Sequence, residues 1–320
     1  GANYGIPADE PSRGSGESII RGYLNVAASA NLFNLDGVTL LGDPARGVNM
    51  GVQAAEARLA NSIITSVKPQ GGYADFAYVK YIRDSGLTAY SNITIQNNLF
   101  NGNVDFNATP VVLQLNHSKS IQVSGNTFLN TGGGGNIVLA GDSGTVRIQD
   151  NLIIGGGKGI ATYNGGIEKL EVVNNTILDS NLNGIDLNFG SLLKSGLIEG
   201  NLVQGSGINR TNQAVTSANL SVSPQAELWS DFRISNNNLT NPFGSNPSYQ
   251  GFIPAGLTNA TLQPSSIGTL TLEVEAPAPT TPAPALPLAR SNDATRFRVS
   301  RFATDLGFPS SFAELSDGTL

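Results

Sequence analysis

The residues that could carry acid–base chemistry are few and spread along the chain. Glycosidic cleavage takes two carboxyl groups at a defined separation, one to protonate the leaving oxygen and one to activate water or attack the sugar. Asp186, in the run Gly184-Ile185-Asp186-Leu187, falls on a strand position that points away from the apolar side. Asp179 and Asp142 lie in neighbouring loops. These three are the candidate catalytic acids, and the competing reading is one solvated strand residue with two loop acids that hydrogen-bond turn backbone. Proton abstraction beside a uronate carboxylate asks instead for a cation or metal to neutralise that carboxylate, and for a base. Lys158, Lys169 and Lys194 lie near the same positions, with Lys119 farther off. No stretch gathers three or more acids into a Ca²⁺ cage, so no metal and no other cofactor is expected. The single His, His117, stands in a loop sequence, Asn116-His117-Ser118-Lys119, where a solvent-exposed side chain is the ordinary role. Gln114, Asn116, Tyr163 and Asn188 make a candidate carbohydrate-binding set, with Tyr163 as an aromatic platform. Trp229 is read as packing rather than sugar stacking.

These residues are positioned by a repeat. Asn98, Asn126, Asn151, Asn175, Asn201 and Asn237 recur at gaps of 28, 25, 24, 26 and 36. Three residues before each stands Ile95, Val123, Ile148, Val172, Ile198 or Ile234, and two after it Phe100, Phe128, Ile153, Ile177, Val203 or Leu239. A near-constant period with apolar residues alternating at two marks a coiled repeat. Each Asn sits between two short strand-like stretches, so the chain must turn there, and Asn tolerates the left-handed backbone of a corner. Amides stacked at one corner would hydrogen-bond from coil to coil and satisfy one another. A further strand follows each corner, as in Val111–Leu115, 137–139, 160–163 and 185–189, giving three short strands per coil. On the second strand stack, alternation turns Gln114, Val138, Ala161, Asp186 and Thr216 outward, with Asn116, Ala140, Tyr163 and Asn188 beside them. On the next stack the outward row is Thr94, Gln122, Arg147, Glu171, Leu197 and Arg233, where Arg147 and Glu171 are placed to pair across adjacent coils.

The run Val172-Val173-Asn174-Asn175-Thr176-Ile177 followed by Gly184-Ile185-Asp186-Leu187 resembles the generic repeat of the right-handed parallel β-helix superfamily, the pectate-lyase-like and tailspike-like proteins. The resemblance extends over about residues 18–274 and implies an all-β solenoid with an internal Asn ladder. Lyases, hydrolases, epimerases, tailspikes and adhesins share that coil, so it does not imply one activity. The signature acids and Gly-His-Gly of polygalacturonases are missing, as is the His-bearing motif of alginate epimerases.

Organisation follows from where the repeat holds. Residues 1–17 read as a lead-in loop, 18–90 as an N-terminal cap with irregular first coils, and 91–274 as the regular parallel β-helix. Residues 275–287 are a Pro-rich linker expected to be extended, and 288–320 a C-terminal segment. The run "F-P-S-S-F-A-E-L-S-D-G-T-L" at 308–320 resembles the opening of a sugar-dehydrogenase or NHL-type β-propeller blade, which would make it the start of a further domain. Ala54-Ala55-Glu56-Ala57-Arg58-Leu59-Ala60 is dense in helix formers and is the expected helix, placed to cover one open end of the stack. An insertion is expected near 209–225. The chain begins at Gly1 without an initiator Met, which reads as a processed or truncated product.

Composition narrows the function. Of 320 residues 13% are charged and the net charge is −6, which argues against a basic nucleic-acid surface. No apolar run is long enough to span a bilayer. With 0 Cys there is neither a disulfide framework nor thiol chemistry. The sequence therefore favours an extracellular or cell-surface structural module, or one that binds surface polysaccharide, within a larger protein, fibre or spike. Self-association is expected as a trimer or end to end, with no nucleic-acid partner. The alternative is a polysaccharide lyase or glycoside hydrolase working in a groove on the outward strand face.

Overall fold

In a computed structural model of the chain, residues 3–10, 12–14, 16–41, 48–66, 77–81, 91–102, 111–129, 135–163, 165–187, 193–207, 217–222, 231–239, 249–251, 261–264 and 270–273 are described. Their strands form a parallel β-solenoid with three sheets. The first sheet stacks Ser18–Arg21, Val38–Leu41, Ile63–Ser66, Leu99–Gly102, Thr127–Leu129, Leu152–Ile154, Thr176–Leu178 and Leu202–Gln204. The second stacks Leu24–Val26, Val48–Val52, Ala77–Tyr81, Val111–Leu115, Gly135–Ala140, Lys158–Tyr163, Ile185–Leu187, Leu220–Val222 and Tyr249–Gly251. The third stacks Leu32–Asp36, Glu56–Ala60, Ser91–Gln96, Ser118–Ser124, Ser143–Gln149, Ile167–Val173, Leu193–Glu199 and Asp231–Ser235. The chain visits the sheets in that order, so each coil contributes one strand to each. An antiparallel pair, Thr261–Pro264 with Leu270–Glu273, follows the last coil.

Alternation fills the tube. In the first sheet the inward row is Ile20, Leu40, Ile64, Phe100, Phe128, Ile153, Ile177 and Val203, in register from coil to coil. From Leu40 onward these side chains are at most 2% exposed, and the Phe100 and Phe128 rings stack with centroids 4.6 Å apart. Ile95, Val123, Ile148, Val172, Ile198 and Ile234 line the third sheet, all buried. Identical aliphatic types repeated in register bury apolar surface on every coil, the main favourable term in such a stack.

The corner between the third and first sheets carries the ladder. Asn98 Nδ2 donates to Asn126 Oδ1 (2.9 Å), Asn126 to Asn151 (2.9 Å), Asn151 to Asn175 (2.9 Å), Asn175 to Asn201 (3.0 Å) and Asn201 to Asn237 (2.8 Å). Each acceptor oxygen also takes the backbone N–H of the preceding rung. The left-handed residue at this corner is not the ladder Asn but the one before it: Asn97, Gly125, Asp150, Asn174, Gly200 and Asn236 all have φ between 54° and 66°. That single left-handed step turns the next side chain into the tube. The stack at these positions is tight, and a Cβ on Gly125 would lie 2.6 Å from Asn97 Oδ1. The ladder also reaches one coil further back than its asparagines. Asn61 is left-handed (φ 51°), and Ser62 behind it gives its N–H to Asn98 Oδ1 while its Oγ accepts from Val38 N–H.

Two expectations change. The segment 54–60 is not a helix: Glu56–Ala60 is a strand paired with Leu32–Asp36 on one side and Ser91–Gln96 on the other. Ala57 and Leu59 alternate inward and are buried, so core pairing overrides the helix propensity of the run. The described strands between Ser18 and Tyr81 are coils of the solenoid. The lead-in stretch 1–17, where described, is also fixed in place. Gly5 N–H donates to Asp36, Ala8 N–H to Asn97 O, and Arg13 to Asn61 O, so it runs down the outside of the ladder corner. The linker, the C-terminal segment and most of the insertion at 209–225 lie outside the described residues.

Asn151→Ala removes the acceptor of Asn126 and the donor to the Val123 and Gln149 carbonyls. Each buried group left unpaired costs ~1–3 kcal/mol, so urea unfolding is expected to show a loss of ~3–5 kcal/mol. Asn101→Ala, on the exposed outer face of the first sheet, serves as the control and should change stability by under ~0.5 kcal/mol.

The N-terminal stretch is held by two carboxylates. Burial pushes Glu17 up, but its hydrogen bonds and charge contact with Arg13, aided by Thr39 and Asn3, outweigh it and lower the pKa below 4.5. For Asp36 burial is outweighed by Asn61, the Gly5 N–H and Arg58, again lowering the pKa, here below 3.8. Groups with a depressed folded pKa stabilise at pH above the unfolded value and lose that contribution as pH falls through the folded one. Hydrogen exchange at residues 3–17, taken relative to the intrinsic rate at each pH, should be constant above pH 4.5 and rise once pH falls below 3.8, ahead of the ladder amides. Exchange rising in step with the ladder would contradict this.

Candidate functional site

The outward face of the second sheet carries the row Gln114, Val138, Ala161 and Asp186 in register, as alternation requires. Its next member is Ser221, not Thr216, because Leu220–Val222 supplies the strand that pairs with Ile185–Leu187. Val138, Ala161 and Asp186 are buried although they point away from the tube. Lys158 accounts for part of this. It starts the preceding strand, pairs its Nζ with Asp186 Oδ2, and lies over the Tyr163 ring at 4.8 Å from the centroid. The two charged side chains are 18% and 9% exposed, so the pair is well withdrawn from solvent. Burial pulls the Lys158 ammonium down, but the bond and charge of Asp186, with the Tyr163 phenol, outweigh it and raise its pKa above 10.5. Asp186 thus faces a permanently charged partner through neutral pH.

The other two candidate acids sit elsewhere. Asp179 is the left-handed residue (φ 57°) at the corner between the first and second sheets, stacked with Gly155 and Gly205 of the adjacent coils. Asp142 stands at the opposite corner, two strands before Asp186 in the sheet order, and its Oδ1 accepts the Gly166 N–H at 2.7 Å. Two strands alone span about 9.5 Å, before the further displacement along the strand. A carboxylate pair for glycoside cleavage stands at ~5–9.5 Å. Asp142 and Asp186 are therefore placed apart, and Asp186 and Asp179 lie on different sides of a corner.

Among the candidate binding residues, Gln114 is half-buried on the row and Tyr163 is 38% exposed. The Asn116 side-chain amide lies against the Leu115 and Ala140 carbonyls, at 2.9 and 2.8 Å, and donates to both when its nitrogen is the atom turned toward them. Asn188, the Lys194 side chain and Trp229 lie outside the described residues. His117 is the left-handed residue of its corner (φ 42°), with its ring against Gly141, where a Cβ would come within 2.7 Å of the imidazole. A corner position and an adjacent glycine explain it without chemistry.

The third sheet presents a different surface. Its outward row runs Asn34, Arg58, Thr94, Gln122, Arg147, Glu171 and Leu197, in register throughout, with Arg233 at the next register position. Arg147 pairs with Glu171 across coils at 3.3 Å, as their register implies, and Lys169 meets the same carboxylate at 2.7 Å. Ser120, Gln122, Thr145, Arg147 and Gln149 line a shallow open depression of about 450 Å³ with Ile121 at its base. Ser120, Thr145 and Gln149 were not singled out from sequence. Their signal is their register with Gln122 and Arg147, which only strand pairing reveals. Among the described residues no three His, Cys, Asp or Glu side chains converge as metal ligands. No helix of the described residues is long and apolar enough to cross a membrane. Comparison with known protein families, curated proteins and solved structures finds no match.

Lys158→Met should leave Asp186 a buried, unpaired charge. Removing one partner of such a pair costs up to ~3–5 kcal/mol, less where part of the pair is wet, so a loss of about 2 kcal/mol is expected in chemical denaturation. The double change Lys158→Met with Asp186→Leu should recover most of it. Additive losses would mean that the two charges are not coupled.

Proposed function

We propose that the chain is an extracellular module that serves as a rigid rod and binds surface polysaccharide, as part of a larger secreted or cell-surface protein, fibre or spike. The observation that carries the reading is the outward wall of the third sheet. There polar side chains that can donate or accept hydrogen bonds repeat on consecutive coils at Thr94, Gln122, Arg147 and Glu171. An extended glycan offers hydroxyls at regular intervals, and a wall of evenly spaced, pre-positioned partners binds it with little ordering cost. The shallow depression at Ser120, Gln122, Thr145, Arg147 and Gln149 is the proposed centre, and Arg147 the group that would meet an acidic sugar.

The alternative, a polysaccharide lyase or glycosidase on the second sheet, has less to work with. Asp186 is engaged by Lys158 and Asp142 by backbone, so neither is poised as a free acid or base.

Affinity electrophoresis against neutral and acidic polysaccharides is expected to show retardation by at least one. Arg147→Ala combined with Gln122→Ala should weaken it about tenfold or more, a change of ~1.4 kcal/mol, at an unchanged melting temperature. Binding unaffected by the pair of substitutions, or no retardation on any polymer, would remove the proposed wall. New reducing ends or unsaturated uronate absorbance would establish the enzyme instead.

A further inference from the structure

The two ends of the solenoid differ. Around its last coils the interior side chains Val203, Leu220, Val222, Ile234 and Leu239 are all 5% exposed or less. At its first coil, Ile20, Leu24, Val26, Ala30, Phe33 and Leu35 pack on the core yet stay only partly buried. Among the described residues, four of the five exposed large hydrophobics also belong to this end: Tyr4 (66%), Ile19 (50%), Tyr23 (38%) and Leu32 (66%). Ser18–Arg21, Leu24–Val26 and Leu32–Asp36 are each the terminal strand of their sheet, so each has a free edge among the described residues. The described part of the N-terminal stretch does not close this mouth. Its bonds to Asp36, Asn61 and Asn97 carry it down the side of three successive coils.

Free edges are usually guarded by Lys, Pro or inward charges that discourage pairing. Between Ser18 and Asp36 there is no Lys and no Pro, and the only charged residues are Arg21 and Asp36. Asp36 is occupied by Arg58, Asn61 and Gly5. The mouth therefore combines unguarded backbone edges, an open apolar interior and almost no charge.

We infer that this mouth joins two copies of the chain head to head, independently of any glycan binding. Rotation about an axis across the rod sets each first strand antiparallel to a first strand of the partner copy. Edge N–H and C=O groups then pair, and the six interior side chains of one copy meet those of the other as a continuous core. The same symmetry closes the assembly at two. Head-to-tail growth would need the opposite end, where the core is already covered. A coil of about twenty residues at ~3.3 Å each encloses, with its side chains, an end face of the order of 600 Å². Two such faces bury on the order of 1,200 Å², the lower edge of a specific interface. Such a dimer is expected to dissociate measurably on dilution.

Sedimentation equilibrium of the 320-residue chain should show a reversible monomer–dimer equilibrium. Leu32→Lys with Ile19→Lys should shift it at least tenfold toward monomer, while circular dichroism and the melting transition of the monomer stay unchanged. Both side chains are exposed, so the fold does not depend on them. Ile154→Lys, on the outer face of the first sheet, should leave the dimer intact. Because the chain has no Cys, single spin labels at Asn25→Cys or Thr176→Cys report the arrangement. Labels at Asn25 should be close to each other. Those at Thr176, six strands farther along, should be roughly 60 Å apart, twice the ~29 Å height of six strand spacings. Monomer at all concentrations, assemblies growing beyond two, a dimer broken by Ile154→Lys alone, or similar distances at both labels would each overturn the inference.

Discussion

The stacked amide at one corner is the constraint to which the rest of this molecule answers. A coil that turns sharply between two strands buries backbone groups that no neighbouring strand can reach. Each ladder Asn meets several of them at once. Asn126 gives its Nδ2 protons to Asn151 Oδ1 and to the carbonyls of Ile95 and Ser124, while its oxygen takes the N–H and the amide of Asn98. The same arrangement recurs at Asn151, Asn175 and Asn201. Every amide is both donor and acceptor, so removing one rung strands groups on two coils. A buried network of this kind is valuable only when complete.

A fixed corner leaves the other two free to vary. Asn201 and Asn237 are 36 residues apart, against 24–28 elsewhere, yet the hydrogen bond between their side chains is as short as the rest. Extra chain is therefore absorbed away from the ladder without disturbing the register of the sheets around it. Corner positions are filled by whatever tolerates a left-handed backbone, which is why His117 and Asp179 occupy them. Both side chains therefore stand at positions fixed by backbone conformation.

This explains what was legible in the sequence and what was not. The six asparagines, the inward rows and the Arg147–Glu171 pair follow from a period and a parity, both of which survive in one dimension. Ser62 escaped notice because a hydroxyl accepting Val38 N–H can stand where an amide was sought. The strand Glu56–Ala60 was hidden by helix-forming residues, whose intrinsic preference is smaller than the gain from pairing on both edges. The left-handed residue was misplaced by one because Asn97-Asn98 and Asn174-Asn175 are doublets. Only Gly125 and Gly200, preceding their asparagines, point to the correct member. The outward faces carried least information. Nothing in the spacing of Lys158 and Asp186 announces that they meet, since they belong to successive coils with a loop of their own length between them.

The faces themselves differ in a way that bears on function. The outer rows of the first sheet hold Leu99, Leu129, Leu152, Ile154, Leu178 and Leu202, all half-buried by one another. The second withdraws its one strand carboxylate behind Lys158 and Tyr163. Among the described residues, the third leaves charged and hydrogen-bonding groups in register and open to solvent, with the Arg147 side chain half exposed. The Asp186 carboxylate is already paired with the Lys158 ammonium, and that pairing raises the lysine's pKa against the opposing effect of burial. Chemistry on the second sheet would thus have to break a withdrawn ion pair before it began. Recognition on the third would meet groups that the strand ladder already holds still, and the pair it would share there, Arg147 with Glu171, is half exposed on its arginine side. That difference in what must be disrupted is the physical ground for proposing the polar wall as a binding face.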